Sequence, residues 1–209
     1  EGGLIAAVGD LRGDTGALVG KWERTNTSTR SVYRALIEWS APRLFCDKTP
    51  IYSHDQGILP RAELLMASPR YLSTVRHPLA CIESWVELER KNLILQNRDA
   101  SNVTWTDIEA KYRAYNGNII DFLKTVPVHR RESMRYEDLV TDPGGTLSTI
   151  CGELLMIPYD DAMADPYAAG ATKTLEAGST GVAATDPKLL KHKKISPALA
   201  DKWKTVQVP

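Results

Sequence analysis

Apolar residues recur along the chain in two rhythms, and each predicts an element. Val32, Leu36 and Trp39 repeat at spacings of four and three, one face of a helix within residues 4–40. That stretch reads as helical segments broken around Gly13 and Gly16 and again around Asn26. Ile58 to Ala67 reads as a helix, and Pro78 suits the first position of another running to about Leu95. Thr104 with Asp107 three residues later resembles a capping box. Behind it, Trp105, Ile108, Tyr112, Tyr115, Ile119 and Phe122 mark one face of a long helix. Thr146 to Leu155 and a short segment after Ser196-Pro197 complete the helical pattern.

Shorter runs predict strands. Arg43 to Asp47 is an apolar run stopped by Pro50, and Tyr71 to Val75 is rich in β-branched and aromatic residues. Ser133 to Tyr136 is a third candidate, and Asp142-Pro143-Gly144-Gly145 reads as a turn. Strands and helices alternate at intervals that favour crossover connections. The expected fold class is therefore α/β, a parallel sheet flanked by helices. Ligands of such sheets gather at the carboxyl ends of the strands. Polar clusters fall there: Asp47-Lys48-Thr49, Arg76-His77 and Glu137-Asp138.

Composition narrows the classes. With 26 basic and 26 acidic residues in 209, the chain lacks the positive excess of a general nucleic-acid binder, so no nucleic-acid partner is expected. No apolar run approaches the ~20 residues of a membrane span, and no membrane association or signal peptide is expected. Cys46, Cys81 and Cys151 are far apart and odd in number, which points to a reducing, cytoplasmic setting and away from a metal site. Residues 185–209 hold six lysines against two aspartates. This is either a solvated tail or a basic segment that closes over an anion. Residues 165–187, rich in Ala, Gly and Thr, read as a mobile loop.

Two phosphate-like patterns fail on inspection. Gly16 to Trp22 has three residues between its glycines where a P-loop needs four, and Trp22 follows Lys21. Gly178-Ser179-Thr180-Gly181 has no strand before it and reads as a loop. Arg76-His77-Pro78 with Ser84 is more informative. A strand end followed by a helix start presents free amides and a positive dipole to an anion. Arg76 can fork onto a phosphate and Ser84 can reach the same group from the second turn, or Arg76 can simply cap a neighbouring element.

At these residues the chain resembles a family. Arg76 followed by Ser84 is similar to the 3′-phosphate-binding segment of sulfotransferases that use 3′-phosphoadenosine 5′-phosphosulfate (PAPS). Arg135 to Pro143 resembles their Tyr-Glu-Asp-Leu segment, in which the tyrosine, here Tyr136, borders the adenine site. Asp47-Lys48-Thr49-Pro50 resembles a Lys-Thr/Ser-Pro that closes a strand in many members. The tail from Asp186-Pro187 through Lys191-His192-Lys193 to Trp203 is similar to the sulfotransferase domains of olefin-forming polyketide synthases, of the curacin and olefin-synthase type. The resemblance runs through essentially all 209 residues. It departs at the start, where the family's phosphosulfate loop, Arg-Ser-Gly-Ser/Thr-Thr, has no counterpart.

The resemblance implies one sulfotransferase domain over residues 1–209, P-loop-like in fold and lacking its N-terminal strand-loop-helix, with a flap at 165–187. About 60–80 residues are expected to precede Glu1, and without them efficient turnover is not expected. It implies PAPS as donor, 3′-phosphoadenosine 5′-phosphate (PAP) as product, and no metal. The donor would be held by Arg76, Ser84 and Tyr136. The acceptor would be the β-hydroxyl of a polyketide chain on an acyl carrier protein, with a downstream thioesterase as second partner in natural product biosynthesis.

A general base is needed, and histidine is apt. His77 sits inside the phosphate segment, His54 lies in a turn near Lys48, and His129 looks like surface. His192, among Lys191, Lys193 and Lys194, is either that base or part of a solvated basic turn. Lys48 would stabilise sulfuryl oxygens, or else pair with Asp47 at the surface. Two other functions fit the same residues: a stand-alone small-molecule sulfotransferase, and a non-catalytic binding module with a degenerate donor site.

Overall fold

Ser28 starts the first helix of the computed structural model, which describes residues 24–165 and 194–209. Its hydroxyl accepts from the Ser31 N–H at 3.2 Å, and helix α1 spans Thr29–Ser40. The break expected around Asn26 is present, with that residue in the left-handed region at φ 48°. The chain divides into two compact units. Described residues 24–69 belong to the first, and 70–165 with 194–209 to the second.

In the first unit, Val32, Tyr33 and Leu36 on α1 form a small core against Phe45, Leu65 and Met66. The side chain of Trp39 lies outside the described residues. A 3-10 turn, Pro50–Ser53, precedes helix α2, Ile58–Leu65, which buries Leu59 and Ala62. The helix stops short of Ala67 because Met66 is extended and Ser68 turns left-handed. The strand expected at Arg43–Asp47 does not form. Only Phe45 reaches the core, Arg43, Leu44 and Cys46 are exposed, and no ladder partner within the described residues satisfies the backbone.

The second unit carries the sheet. Strand β1, Tyr71–Val75, is the predicted one and leads into helix α3, Pro78–Leu95. Helix α4, Trp105–Thr125, begins where expected, the Thr104 hydroxyl accepting from the Asp107 N–H at 3.1 Å. Strand β2, Arg131–Arg135, pairs parallel with β1, from Tyr71 opposite Arg131 to Val75 opposite Arg135. Two helices between parallel strands form the crossover that the alternation predicts, so the α/β class holds. Ile82 and Val86 of α3 pack on Ile108 of α4, sealed by Trp85, Val103, Trp105 and Tyr112. Burial of an Ile108-sized side chain contributes about 1.5–3 kcal/mol. Tyr71 and Phe122 meet edge to face at 4.9 Å, tying α4 to the sheet.

Two boundaries differ from the sequence reading. Tyr136 does not end the strand but opens helix α5, Tyr136–Thr141. The expected turn at Asp142–Gly145 is instead the start of helix α6, Pro143–Thr149. Asp142 caps it by accepting from the Gly145 N–H at 2.9 Å. A side chain at position 145 would meet that carboxylate and require the cap to shift. A wider turn, Ile150–Leu155, continues the helix to Met156, left-handed at φ 57°. A 3-10 helix, Pro197–Thr205, packs against α5 and α3. No helix among the described residues is long and apolar enough to cross a membrane.

Candidate active site

Strands β1 and β2 end level, because Val75 pairs with Arg135. The next two residues of each chain segment therefore meet. Arg76 lies over the ring of Tyr136, its guanidinium carbon 4.4 Å from the ring centroid. The His77 N–H donates to the Glu137 carboxylate at 2.8 Å. From the other side, the Tyr112 hydroxyl donates to the Arg76 carbonyl at 3.2 Å. Burial pushes the Tyr112 phenol up, which keeps it a donor. Pro78, which has no N–H to leave unsatisfied, then opens α3.

The corner thus places a cation and a helix N-terminus at the carboxyl end of the sheet. Two polar atoms there, Arg76 Nε and His77 Nδ1, are buried with no hydrogen-bond partner among the described residues. A buried guanidinium N–H without a partner is costly, and an anion bringing acceptor oxygens would relieve that cost. These residues therefore fit a phosphate group. Helix α3 supplies the rest of the setting: Ser84 and Cys81 are three apart on one helix face, both half-buried. Burial pushes the Cys81 thiol up, with the Arg76 charge pulling it the other way.

The C-terminal 3-10 helix closes one side of this corner. Trp203 stacks on the His77 imidazole, centroids 4.2 Å apart and planes 13° from parallel. Lys202 pairs with Glu83 of α3 at 2.9 Å, both about 30% exposed, so the bond is partly shielded from water.

In the first unit, Lys48 is exposed and follows a carboxylate held by hydroxyls. Tyr33 donates to Asp47 Oδ2 at 2.7 Å, Tyr52 donates to the same oxygen, and Thr49 donates to Oδ1 at 2.7 Å. The two phenolic oxygens are 2.6 Å apart. Burial, then these hydrogen bonds and the Asp47 charge, push the Tyr33 phenol far up. Burial and Asp47 also push Tyr52 up. Asp47 therefore serves this cluster.

Of the residues singled out by sequence, the structure brings Arg76 and Tyr136 together and sets Ser84 on the helix that follows Arg76. Lys48 belongs to the other unit. His192 and residues 166–187 of the expected flap lie outside the described residues. His54 closes the 3-10 turn Pro50–Ser53 and His129 sits in the turn Val128–Arg130, both exposed. Sequence reasoning missed the work of Glu137, Tyr112 and Trp203. For Glu137 a signal existed: it follows a strand by two residues, as His77 does, and parallel register makes such positions neighbours. Among the described residues no cluster of three His, Cys, Asp or Glu side chains is placed to hold a metal ion.

Two solved structures are similar to this chain. The "Sulfotransferase Domain from the Curacin Biosynthetic Pathway" superposes with a TM-score of 0.78 at 36% identity, over 93% of this chain and 67% of that one. The "Sulfotransferase Domain from the Synechococcus PCC 7002 Olefin Synthase" superposes with a TM-score of 0.77 at 33% identity, over 99% of this chain and 69% of that one. No curated protein matches the chain. A sequence model of the sulfotransferase family covers residues 15–161, which takes in the whole strand-end corner from Arg76 to Glu137. With that span and these two folds in agreement, the chain belongs to the sulfotransferase family.

Proposed function

We propose that the protein transfers a sulfuryl group from PAPS to the β-hydroxyl of a polyketide chain held on an acyl carrier protein. The observation that carries the donor half is the corner of Arg76 and His77, with two buried nitrogen atoms at a helix start that have no partner among the described residues. In this reading Arg76 and the Ser84 hydroxyl bind the 3′-phosphate, and Tyr136 both supports Arg76 and borders the adenine. The acceptor half is supported by likeness to domains from the curacin pathway and an olefin synthase.

The chemistry asks for alignment, a base and charge stabilisation. The sulfur–oxygen bond to the donor phosphate breaks as a bond forms between sulfur and the acceptor oxygen. The hydroxyl proton passes to His192, and the leaving phosphate takes the electron pair. The Lys48 ammonium stabilises the sulfuryl oxygens. Residues 1–209 act as one sulfotransferase domain, with 165–187 closing over the substrate and excluding water. The β-sulfate so formed is a good leaving group. After a thioesterase frees the carboxylate, loss of CO2 and sulfate together leaves a terminal alkene. The three free cysteines suit the reducing cytoplasm in which such a carrier would be loaded.

The test is to incubate the full-length protein with PAPS and a carrier-bound β-hydroxyacyl chain and to weigh the carrier by mass spectrometry. A gain of one sulfuryl group is expected on the β-hydroxyl species and none on the β-keto species. Sulfation of free small alcohols but not of the carrier-bound chain would overturn the acceptor assignment. Absence of PAP binding would overturn the donor assignment.

A further inference from the structure

We propose that Glu137 is a positioning residue for donor binding: its buried carboxylate, by accepting from the His77 N–H, sets the Arg76-His77 corner that receives the 3′-phosphate. The role rests on the donor reading above. Glu137 is 9% exposed and lies 60 residues from its partner, so the 2.8 Å bond between them is a tertiary clamp and not a local turn. The β ladder stops at Val75 opposite Arg135. Beyond it, both segments leave the sheet as helices, and among the described residues side-chain contacts join the two ends. Tyr136 grips Arg76 and Glu137 grips His77, two adjacent residues holding two adjacent residues.

A carboxylate is an odd choice beside a phosphate site, because its charge repels the ligand. A neutral acceptor would make the same bond without that repulsion. What the corner draws from position 137 is therefore a well-placed acceptor and not a charge. It lies in the first turn of α5, whose own frame is tied by the Thr141 hydroxyl donating to the Glu137 carbonyl at 2.7 Å. His77 is the last residue before Pro78, held at φ −51° and ψ 127°. Fixing its N–H fixes the peptide plane that also aims Arg76.

The experiment compares Glu137→Ala and Glu137→Gln in the full-length protein. Two readouts are used: amide hydrogen exchange at His77 without ligand, and calorimetric titration with PAP. The alanine variant should exchange faster at His77 and bind PAP about five- to tenfold more weakly, the effect of one lost hydrogen bond. The glutamine variant keeps an acceptor and sheds the repulsive charge. It should retain slow exchange and bind PAP as tightly as the wild type or more so. If exchange rises in the alanine variant while PAP affinity stays at the wild-type value, the clamp exists but does not serve the donor, and the proposal is overturned. Equal loss of affinity in both variants would assign the effect to charge and overturn it too. A wild-type protein that binds no PAP would overturn the donor reading itself, a result recognisable because His77 exchange would still separate the two variants. Should the alanine variant fail to fold, Glu137→Asp, one methylene short, carries the same expected weakening.

Discussion

The imidazole of His77 lies flat against the indole of Trp203, 4.2 Å away, joining the helix start after β1 to the chain's final described segment. The two residues are far apart in sequence, and their stack fixes the ring whose Nδ1 is buried with no partner among the described residues. Truncating the indole frees that ring and loosens the segment Pro197–Thr205, which the Lys202–Glu83 ion pair also fastens to α3. Trp203→Ala should weaken PAP binding about three- to tenfold, whereas Trp203→Phe, which can still stack, should stay near the wild type. Faster proteolysis near the C-terminus in the alanine variant alone would accompany this. Equal PAP affinity in all three proteins would show that the stack fastens the tail without serving the site.

Arg76→Ala should cost more than any other single change at the corner. A charge-assisted contact contributes ~1.5–3 kcal/mol, or roughly tenfold to a hundredfold in affinity for PAP. The change also removes the cation lying over Tyr136, so part of the loss comes from the Tyr136 ring losing its fixed place. Ser84→Ala removes a neutral donor and should cost less. Calorimetric titration of both variants with PAP gives the order directly. Unchanged affinity in the Arg76 variant would remove the anchor of the donor reading.

The elements around this corner were legible in the sequence because each has a strong local cause. Tyr71–Val75 is a dense β-branched and aromatic run, Pro78 marks a helix start, and Thr104 with Asp107 marks another. Arg43–Asp47 misled because an apolar run specifies an extended chain but not a partner strand. Asp142-Pro143-Gly144-Gly145 misled because the same residues that favour a turn also favour an N-cap with Pro at the first helical position. The candidate site was legible residue by residue and not as a network. Arg76 and Tyr136 carry motifs, whereas Glu137 and Trp203 act through contacts across 60 and more residues, which no local pattern encodes.

Alkaline pH should destabilise the first unit in a defined window. Tyr33 and Tyr52 are pushed above the ordinary phenol value in the fold, chiefly by burial. The stability this represents is fully present below the unfolded value of about 10 and is lost as pH rises beyond it. The melting temperature should therefore be level near neutrality and fall above about pH 10. Tyr33→Phe removes a donor to Asp47 and a contact with Tyr52, so it should lower stability by ~1–3 kcal/mol at neutral pH. It should also make the alkaline fall shallower, because one buried phenol no longer resists ionising. Melting curves from pH 7 upward check both; a fall as steep as the wild type's would place the sensitivity in other groups.

His192 carries the sharpest prediction for the chemical step, and it rests on sequence and family likeness alone. It is the histidine of the basic tail, just after the segment proposed to close over the substrate. If it is the base, His192→Gln should keep PAP affinity within a few-fold and slow sulfuryl transfer by ~10²-fold or more. Binding would survive because a base meets the acceptor hydroxyl and not the donor phosphate. If His192 instead held the donor, affinity would fall along with rate. If it were only a solvated basic turn, neither would change. Single-turnover sulfation of the carrier-bound β-hydroxyacyl chain, run beside a PAP titration, separates the three outcomes. A wild-type single-turnover rate in the variant would end the role of His192 as base, and would move the search for the proton acceptor to the other histidines, starting with His54, which closes the turn Pro50–Ser53.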